Sequence, residues 1–225
     1  MFNSLLDLFF PKVCLGCNYL LRDHEAYLCT TCRHHLPVTN FHFNKDETVK
    51  NVFYGRCNIE QATALLRFQK KGLVQQLLHN LKYKGHEDVS KFLGAWLGED
   101  LKSLPEYRSI DVVIPVPLHP KKLRKRSYNQ VAQFGKEIAC SLNAEYLDNV
   151  LIKTTNTSSQ VYKNRFSRWT NPKEQFVLQN SQLIEDKHIL LVDDIITTGA
   201  TMEACIEVLN SEKNHKISLA AMAIV

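Results

Sequence analysis

Apolar residues recur along the chain at two different periods, and the alternation between them is the first structural signal. Leu73, Leu77, Leu78 and Leu81 fall at three- and four-residue steps, which predicts a helix ending at Gly85. Val89, Phe92, Leu93, Trp96, Leu97 and Leu101 repeat the rule and predict a second amphipathic helix, closed before Pro105. Continuous apolar runs interrupt these helices. "IDVVIPVPL" predicts a strand buried on both faces and stopped by its prolines. "QATALLRF", "AEYLDNVLIKT", "FVLQ", "HILLV" and "ISLAAMAIV" read as further strands. Val131, Phe134, Ile138 and Leu142 mark a helix for which Ser127 and Gln130 resemble a capping box, and another helix is expected from about Ala200 to Asn210. Strands alternating with helices imply an α/β fold, a mostly parallel sheet flanked by helices.

The remaining segments carry no such period. A polar stretch after Pro37, reaching to about Lys50, reads as a linker, and a polar, cationic stretch from Thr154 to Lys173 includes a short helix. "MFNSLLDLFFP" lacks the basic start and small-residue cleavage site of a signal peptide and carries Asp7, so it reads as a short apolar helix ended near Pro11. No run approaches the roughly 18 apolar residues of a membrane span. With 44% hydrophobic and 23% charged residues, the 225-residue chain is neither disordered nor fibrous. Its formal charge of +5 permits an anionic ligand or nucleic acid and demands neither.

The seven cysteines are an odd count, unsuited to a secreted disulfide framework and compatible with a cytoplasmic protein. Cys14 and Cys17, then Cys29 and Cys32, form two CxxC pairs separated by a short insert. Each such turn points two thiolates at one centre, and a tetrahedral zinc ion accepts two turns. Two disulfides or a redox CxxC are the competing readings. Four sulfur ligands leave no open coordination position, so the expected zinc is structural. The division implied is residues 1–40, an N-terminal helix and zinc knuckle, followed by 41–225.

"ILLVDDIITTGAT", Ile189 to Thr201, places two carboxylates at a strand end beside a threonine-rich loop. Ligands of parallel sheets sit beyond the carboxyl ends of the strands, where Asp193 and Asp194 fall. The following helix offers free N–H groups and a partial positive charge to a phosphate. Thr197, Thr198 and Thr201 add hydroxyls, and Gly199 lets the backbone approach closely. The loop has neither a P-loop lysine nor a dinucleotide fingerprint. Phosphate at one end of a ligand and a diol at the other would satisfy both features, as in ribose 5-phosphate. Solvated aspartates and a receiver-domain acidic pocket compete; a receiver pair ends the first strand, whereas this one lies near the carboxyl end of the chain.

These residues resemble the phosphoribosyl diphosphate (PRPP) motif of type I phosphoribosyltransferases. "LKYKG", "PVPLHPKKLRKRSYNQ", "TSSQVYKNRFSRWTN" and the paired CxxC turns further resemble, in order, the ComF family of competence proteins. The resemblance implies a type I phosphoribosyltransferase-like domain over 41–225. It implies that Thr197, Thr198, Gly199, Ala200 and Thr201 hold the 5-phosphate and that Asp193 and Asp194 act as the catalytic pair beside the ribose hydroxyls. Mg2+ would bridge ligand hydroxyls and diphosphate.

The diphosphate would meet Lys82, Lys84 and Arg126, and Gln160, Arg168 and Asn171 would lie in a lid. Taken alone, Lys82 and Lys84 are a helix-end charge pair. The basic run Lys121, Lys122, Arg124, Lys125 and Arg126 reads alone as a solvated loop or a phosphate-tracking patch. The family usually carries Gly and Phe where this chain has Ser127 and Tyr128. Two functions follow from the resemblance. One is an Mg2+-dependent phosphoribosyltransferase of nucleoside metabolism, with an unidentified acceptor and a link to DNA uptake. The other is a non-catalytic, PRPP-sensing competence module that binds single-stranded DNA and other DNA-uptake proteins.

Overall fold

In the computed structural model of the chain, residues 11–154, 176–211, 213 and 215–225 are described. The expected N-terminal helix, the short helix of the cationic stretch and the lid residues Gln160, Arg168 and Asn171 lie outside them. The order of elements is α1 (Thr30–His34), α2 (Phe41–Asn44), α3 (Thr48–Asn51), β1 (Ala62–Arg67), α4 (Leu73–Tyr83), α5 (Glu87–Lys102) and β2 (Val112–Pro115). Then come α6 (Pro120–Arg126), α7 (Ala132–Leu142), β3 (Glu145–Tyr146), β4 (Leu151–Lys153), β5 (Phe176–Leu178), β6 (His188–Ile196), α8 (Ala200–Leu209) and β7 (Lys216–Ile224).

Five strands form one sheet in the order β1-β7-β6-β2-β3, all paired in parallel. The fold class expected from the alternating pattern is therefore present. β6 and β7 are apolar on both faces because helices cover both, which is why they read as unbroken runs rather than alternating ones. One face carries α4, α5 and α7 through Leu77, Leu81, Leu93, Leu97, Phe134 and Ile138. Glycine lets two of these helices approach: a Cβ on Gly94 would sit 2.6 Å from the Phe134 carbonyl oxygen. The opposite face carries α8 through Met202, Cys205, Ile206 and Leu209, with Phe41, Val49 and Phe53 beside it. Side chains alternate along β6, so Leu190 and Val192 enter the first core while Ile189 and Leu191 enter the second.

Four sequence expectations change. The stretch from Pro37 to Lys50 is structured, not a linker. Val38 bridges Leu66, Arg67 donates its N–H to the Pro37 carbonyl at 2.8 Å, and α2 and α3 follow, burying Phe41 and Val49. Helices of four residues are too short to display a period. The basic run is helix α6, with Pro120 in its first turn and the His119 ring accepting from the Lys121 N–H at 3.2 Å. It buries none of its residues, so no apolar pattern announced it. Ser127 does not cap α7. It ends α6 in a left-handed conformation, φ 68°, the geometry that glycine adopts most readily, while Val131 stands at the start of α7. Finally, "AEYLDNVLIKT" divides at Asp148 and Asn149 into β3 of the main sheet and β4, which pairs antiparallel with β5 in a separate two-stranded sheet. No helix among the described residues is long and apolar enough to cross a membrane.

Candidate functional site

At the carboxyl ends of β2 and β6 the acidic pair, the threonine loop and the basic helix converge. Adjacent residues of a strand point to opposite faces, so Asp193 and Asp194 have different surroundings. Asp194 is 4% exposed. One of its oxygens is 3.0 Å from Lys82 Nζ, at the end of α4, and the other accepts from Gln130 Nε2 at 2.7 Å. Gln130 in turn accepts from Arg126 at 2.8 Å. A chain of polar contacts thus runs from Arg126 through Gln130 and Asp194 to Lys82, and both oxygens of Asp194 are committed to it.

Asp193 is half-buried, and one of its oxygens accepts from the Asp194 N–H at 2.7 Å. Burial, reinforced by the neighbouring Asp194 carboxylate, pushes its pKa up to about 8. Lys153 lies half-buried on β4 with its ammonium 4.7 Å from the centre of the Phe176 ring. Burial lowers its pKa; nearby Lys122 adds to the depression, and Asp193 opposes it.

The cradle begins where β6 ends. Thr197, Thr198, Ala200 and Thr201 are exposed, and Gly199 at the N-cap of α8 supplies no side-chain cap. The Ala200 N–H reaches the Thr198 hydroxyl at 3.5 Å, a long contact that an anion at this helix start could replace. Gly199 has φ +77°, and a Cβ there would lie 2.7 Å from the buried Phe53 ring, so the position requires glycine on two grounds.

Beside Asp194, Lys82, Lys122, Lys125 and Arg126, with Tyr83, Gly85 and Tyr128, line a cleft of about 280 Å³. The Arg126 guanidinium sits 5.3 Å from the centre of the Tyr83 ring, and the Tyr128 hydroxyl donates to the Leu81 carbonyl. The Tyr83 ring holds Arg126 in place without neutralising it, whereas Lys82 is already paired with Asp194. Lys84 is exposed at the end of α4 and does not line the cleft. Gln130 and Lys153 are residues at the site that sequence reasoning did not assign. For Gln130 a signal existed, its position four residues after Arg126; for Lys153 there was none.

At the other end of α4 the sulfur atoms of Cys14, Cys17, Cys29 and Cys32 all lie within 4.8 Å of one another. Cys17 and Cys29 are 3.7 Å apart, against about 3.8 Å for two thiolates bound tetrahedrally to zinc. Although burial opposes ionisation, the N–H groups of Cys29 and Gly16 point at the Cys14 sulfur, and its pKa is lowered to about 7. The donor set fits a metal such as zinc. The Asn80 amide donates to the Leu15 carbonyl at 2.7 Å, which joins the cysteine turns to α4.

Residues 130–223 match the phosphoribosyl transferase domain family. The chain is similar to competence protein ComFC of Streptococcus pneumoniae, 33% identical over 121 residues covering 54% of this chain and 50% of the relative. It is also similar to competence protein F of Haemophilus influenzae, 30% identical over 104 residues covering 46% of this chain and 45% of the relative. The chain spans about half the length of these curated relatives. Among solved structures, adenine phosphoribosyl transferase of Trypanosoma brucei, crystallised with AMP, pyrophosphate and ribose-5-phosphate, aligns at TM-score 0.40. That alignment has 16% identity and covers 62% of this chain and 54% of the other, too loose a likeness to place any residue. The domain match spans the segment that carries Gln130, the acidic pair and the threonine loop.

Proposed function

We propose that the chain binds PRPP together with Mg2+ at the carboxyl ends of β2 and β6 and transfers its phosphoribosyl group to an acceptor. The observation that carries this reading is the grouping of carboxylates, cations and a helix start at the carboxyl ends of β2 and β6. A helix start with exposed threonines follows β6, the half-buried Asp193 stands near the end of that strand, and a cleft lined by four cations adjoins Asp194 through Lys82. In this reading the loop Thr197 to Thr201 holds the 5-phosphate. Lys82 and Arg126, joined by Lys122 and Lys125, receive the diphosphate, and Lys84 extends the positive field at the end of α4.

Asp193 meets the ribose hydroxyls. Asp194 serves by fixing Lys82 and Gln130, because its own oxygens are engaged. Mg2+ prefers one or two carboxylates completed by ligand phosphates, a donor set that Asp193 and a diphosphate would provide; when bound it would neutralise charge on the leaving diphosphate. As the bond from ribose C1 to the diphosphate oxygen breaks, positive charge develops on the ribose and negative charge on the leaving group. Asp193, protonated near neutral pH in the free chain, would become a carboxylate beside Mg2+, and that charge together with the cation cleft would favour the separation. The division into a metal knuckle at 1–40 and a phosphoribosyltransferase-like domain at 41–225 belongs to the same proposal.

Calorimetric titration of PRPP with Mg2+ tests the reading. Wild type should bind, and Asp193→Asn should bind at least about tenfold more weakly, a loss of one charged contact. No heat with wild type removes the PRPP claim, and equal binding by the variant misplaces the ribose.

A second reading, a PRPP-sensing module that binds single-stranded DNA without catalysis, draws on helix α6. That helix buries none of its residues, and Tyr83 beside it is 64% exposed. Cations and an exposed ring suit a phosphate backbone and a stacked base. Affinity for an oligonucleotide should then fall steeply with salt and fall further in Lys121→Ala/Arg124→Ala; salt-independent binding contradicts it.

A further inference from the structure

The threonine loop is held from behind by a residue distant in sequence. After α3 the chain turns through Val52 and Phe53 to Arg56. The Phe53 side chain is fully buried against Gly199. From that base the Arg56 guanidinium donates to the Thr198 carbonyl at 3.1 Å, to the Val52 carbonyl, and to the Glu203 carboxylate in the first turn of α8. Its centre lies 5.8 Å from that of the Phe53 ring.

We propose that Arg56 is a positioning residue for the phosphate end of the ligand, acting through Thr198 and Glu203; the inference rests on the PRPP reading. Two physical consequences of its contacts carry it. In a trans peptide the carbonyl and the following N–H point in opposite directions. Drawing the Thr198 carbonyl to the guanidinium therefore turns the Gly199 N–H away from Arg56, and removes a carbonyl dipole that would otherwise be free to swing toward an anion. The second consequence is electrostatic. A carboxylate in the first turn suits the helix dipole but repels a phosphate bound at the same terminus. Arg56 pairs with Glu203, so α8 keeps its positive end. The pair is partly exposed, with side chains 37% and 26% accessible, and exposed pairs contribute little to global stability. Its effect belongs to the loop.

The test separates the two ends of the ligand. Ribose 5-phosphate and Mg2+-diphosphate are titrated separately into wild type, Arg56→Gln, Arg56→Lys and Arg56→Gln/Glu203→Gln, with PRPP as the reference ligand. Arg56→Gln should weaken ribose 5-phosphate and PRPP by about tenfold, one charge-assisted contact, while diphosphate stays within about twofold of wild type. Removing the Glu203 charge should restore part of the loss, and Arg56→Lys should fall between wild type and Arg56→Gln. Wild-type affinity for ribose 5-phosphate in Arg56→Gln overturns the proposal, as does an equal loss for both ligands, the mark of general loosening. Failure of wild type to bind PRPP overturns the reading beneath it and the proposal together.

Discussion

The two faces of the sheet put one pair of adjacent aspartates to different uses. The face covered by α4, α5 and α7 is continuous with the cysteine turns, since Cys14, Leu15, Leu28, Cys32 and Leu36 pack into the same core as Leu190 and Val192. Asp194 points to this side and is saturated with partners. The face covered by α8 contains none of the cysteine-turn residues in its core, and Asp193 on that side remains half-buried with a raised pKa. The saturated carboxylate organises its neighbours, whereas the unsaturated one retains capacity for a ligand. Identity of side chain therefore says little about role when strand alternation separates the environments.

The largest effect should come from the metal. Protein purified without chelator should hold about one zinc, and structural zinc binding is worth on the order of 10 kcal/mol in small knuckles. On chelation, amide exchange should rise in α4 and α5 well before α8; absence of zinc, or uniform exchange, would break the comparison. Next in size is Asp194→Ala, which leaves Lys82 without its carboxylate and Gln130 without an acceptor. Urea denaturation should register a loss of about 3 kcal/mol, the lower end for an opened buried pair. A loss below that of an ordinary surface change would show that the contact chain is idle.

Asp193 gives the opposite sign. Its folded pKa of about 8 lies above the ordinary carboxylate value of 3.8. The unfolded chain therefore ionises first, so the stability this group contributes is full below pH 4 and is lost as pH rises toward 8. Asp193→Asn should flatten that slope and be more stable than wild type at pH 7, as read by denaturation across pH. The smallest change expected is Ser127→Gly, which relieves a left-handed serine at the end of α6 and should stabilise by up to about 1 kcal/mol.

Much of the sheet was legible because buried parallel strands leave continuous apolar runs, and α4, α5 and α7 because each shows a single apolar stripe. What escaped notice lacked either signal. Helix α6 buries no residue, and α2 and α3 have one turn each. At the site, composition marked Asp193, Asp194 and the loop from Thr197 to Thr201 as a group, but the split between the carboxylates depends on which helix covers which face. Gln130 looked like a cap because Ser127 preceded it by three residues. Arg56 was invisible because its partners, Thr198 and Glu203, are brought to it only by tertiary folding.

The order of the strands also bears on how the chain is assembled as it is made. β7, at the far end of the sequence, lies between β1 and β6, and every residue of β1 that pairs in the sheet's parallel ladder pairs with it. On a ribosome β1 emerges before the other strands of this sheet and waits for a neighbour made after all of them. Until then its hydrogen-bonding edge toward the sheet stays open, while the strap from Pro37 to Thr39 can already bond its other edge. Such long-range closure slows folding and prolongs exposure to wrong partners. Deleting the last nine or so residues would leave β1 stranded and α8 without its return, dividing the sheet instead of trimming it.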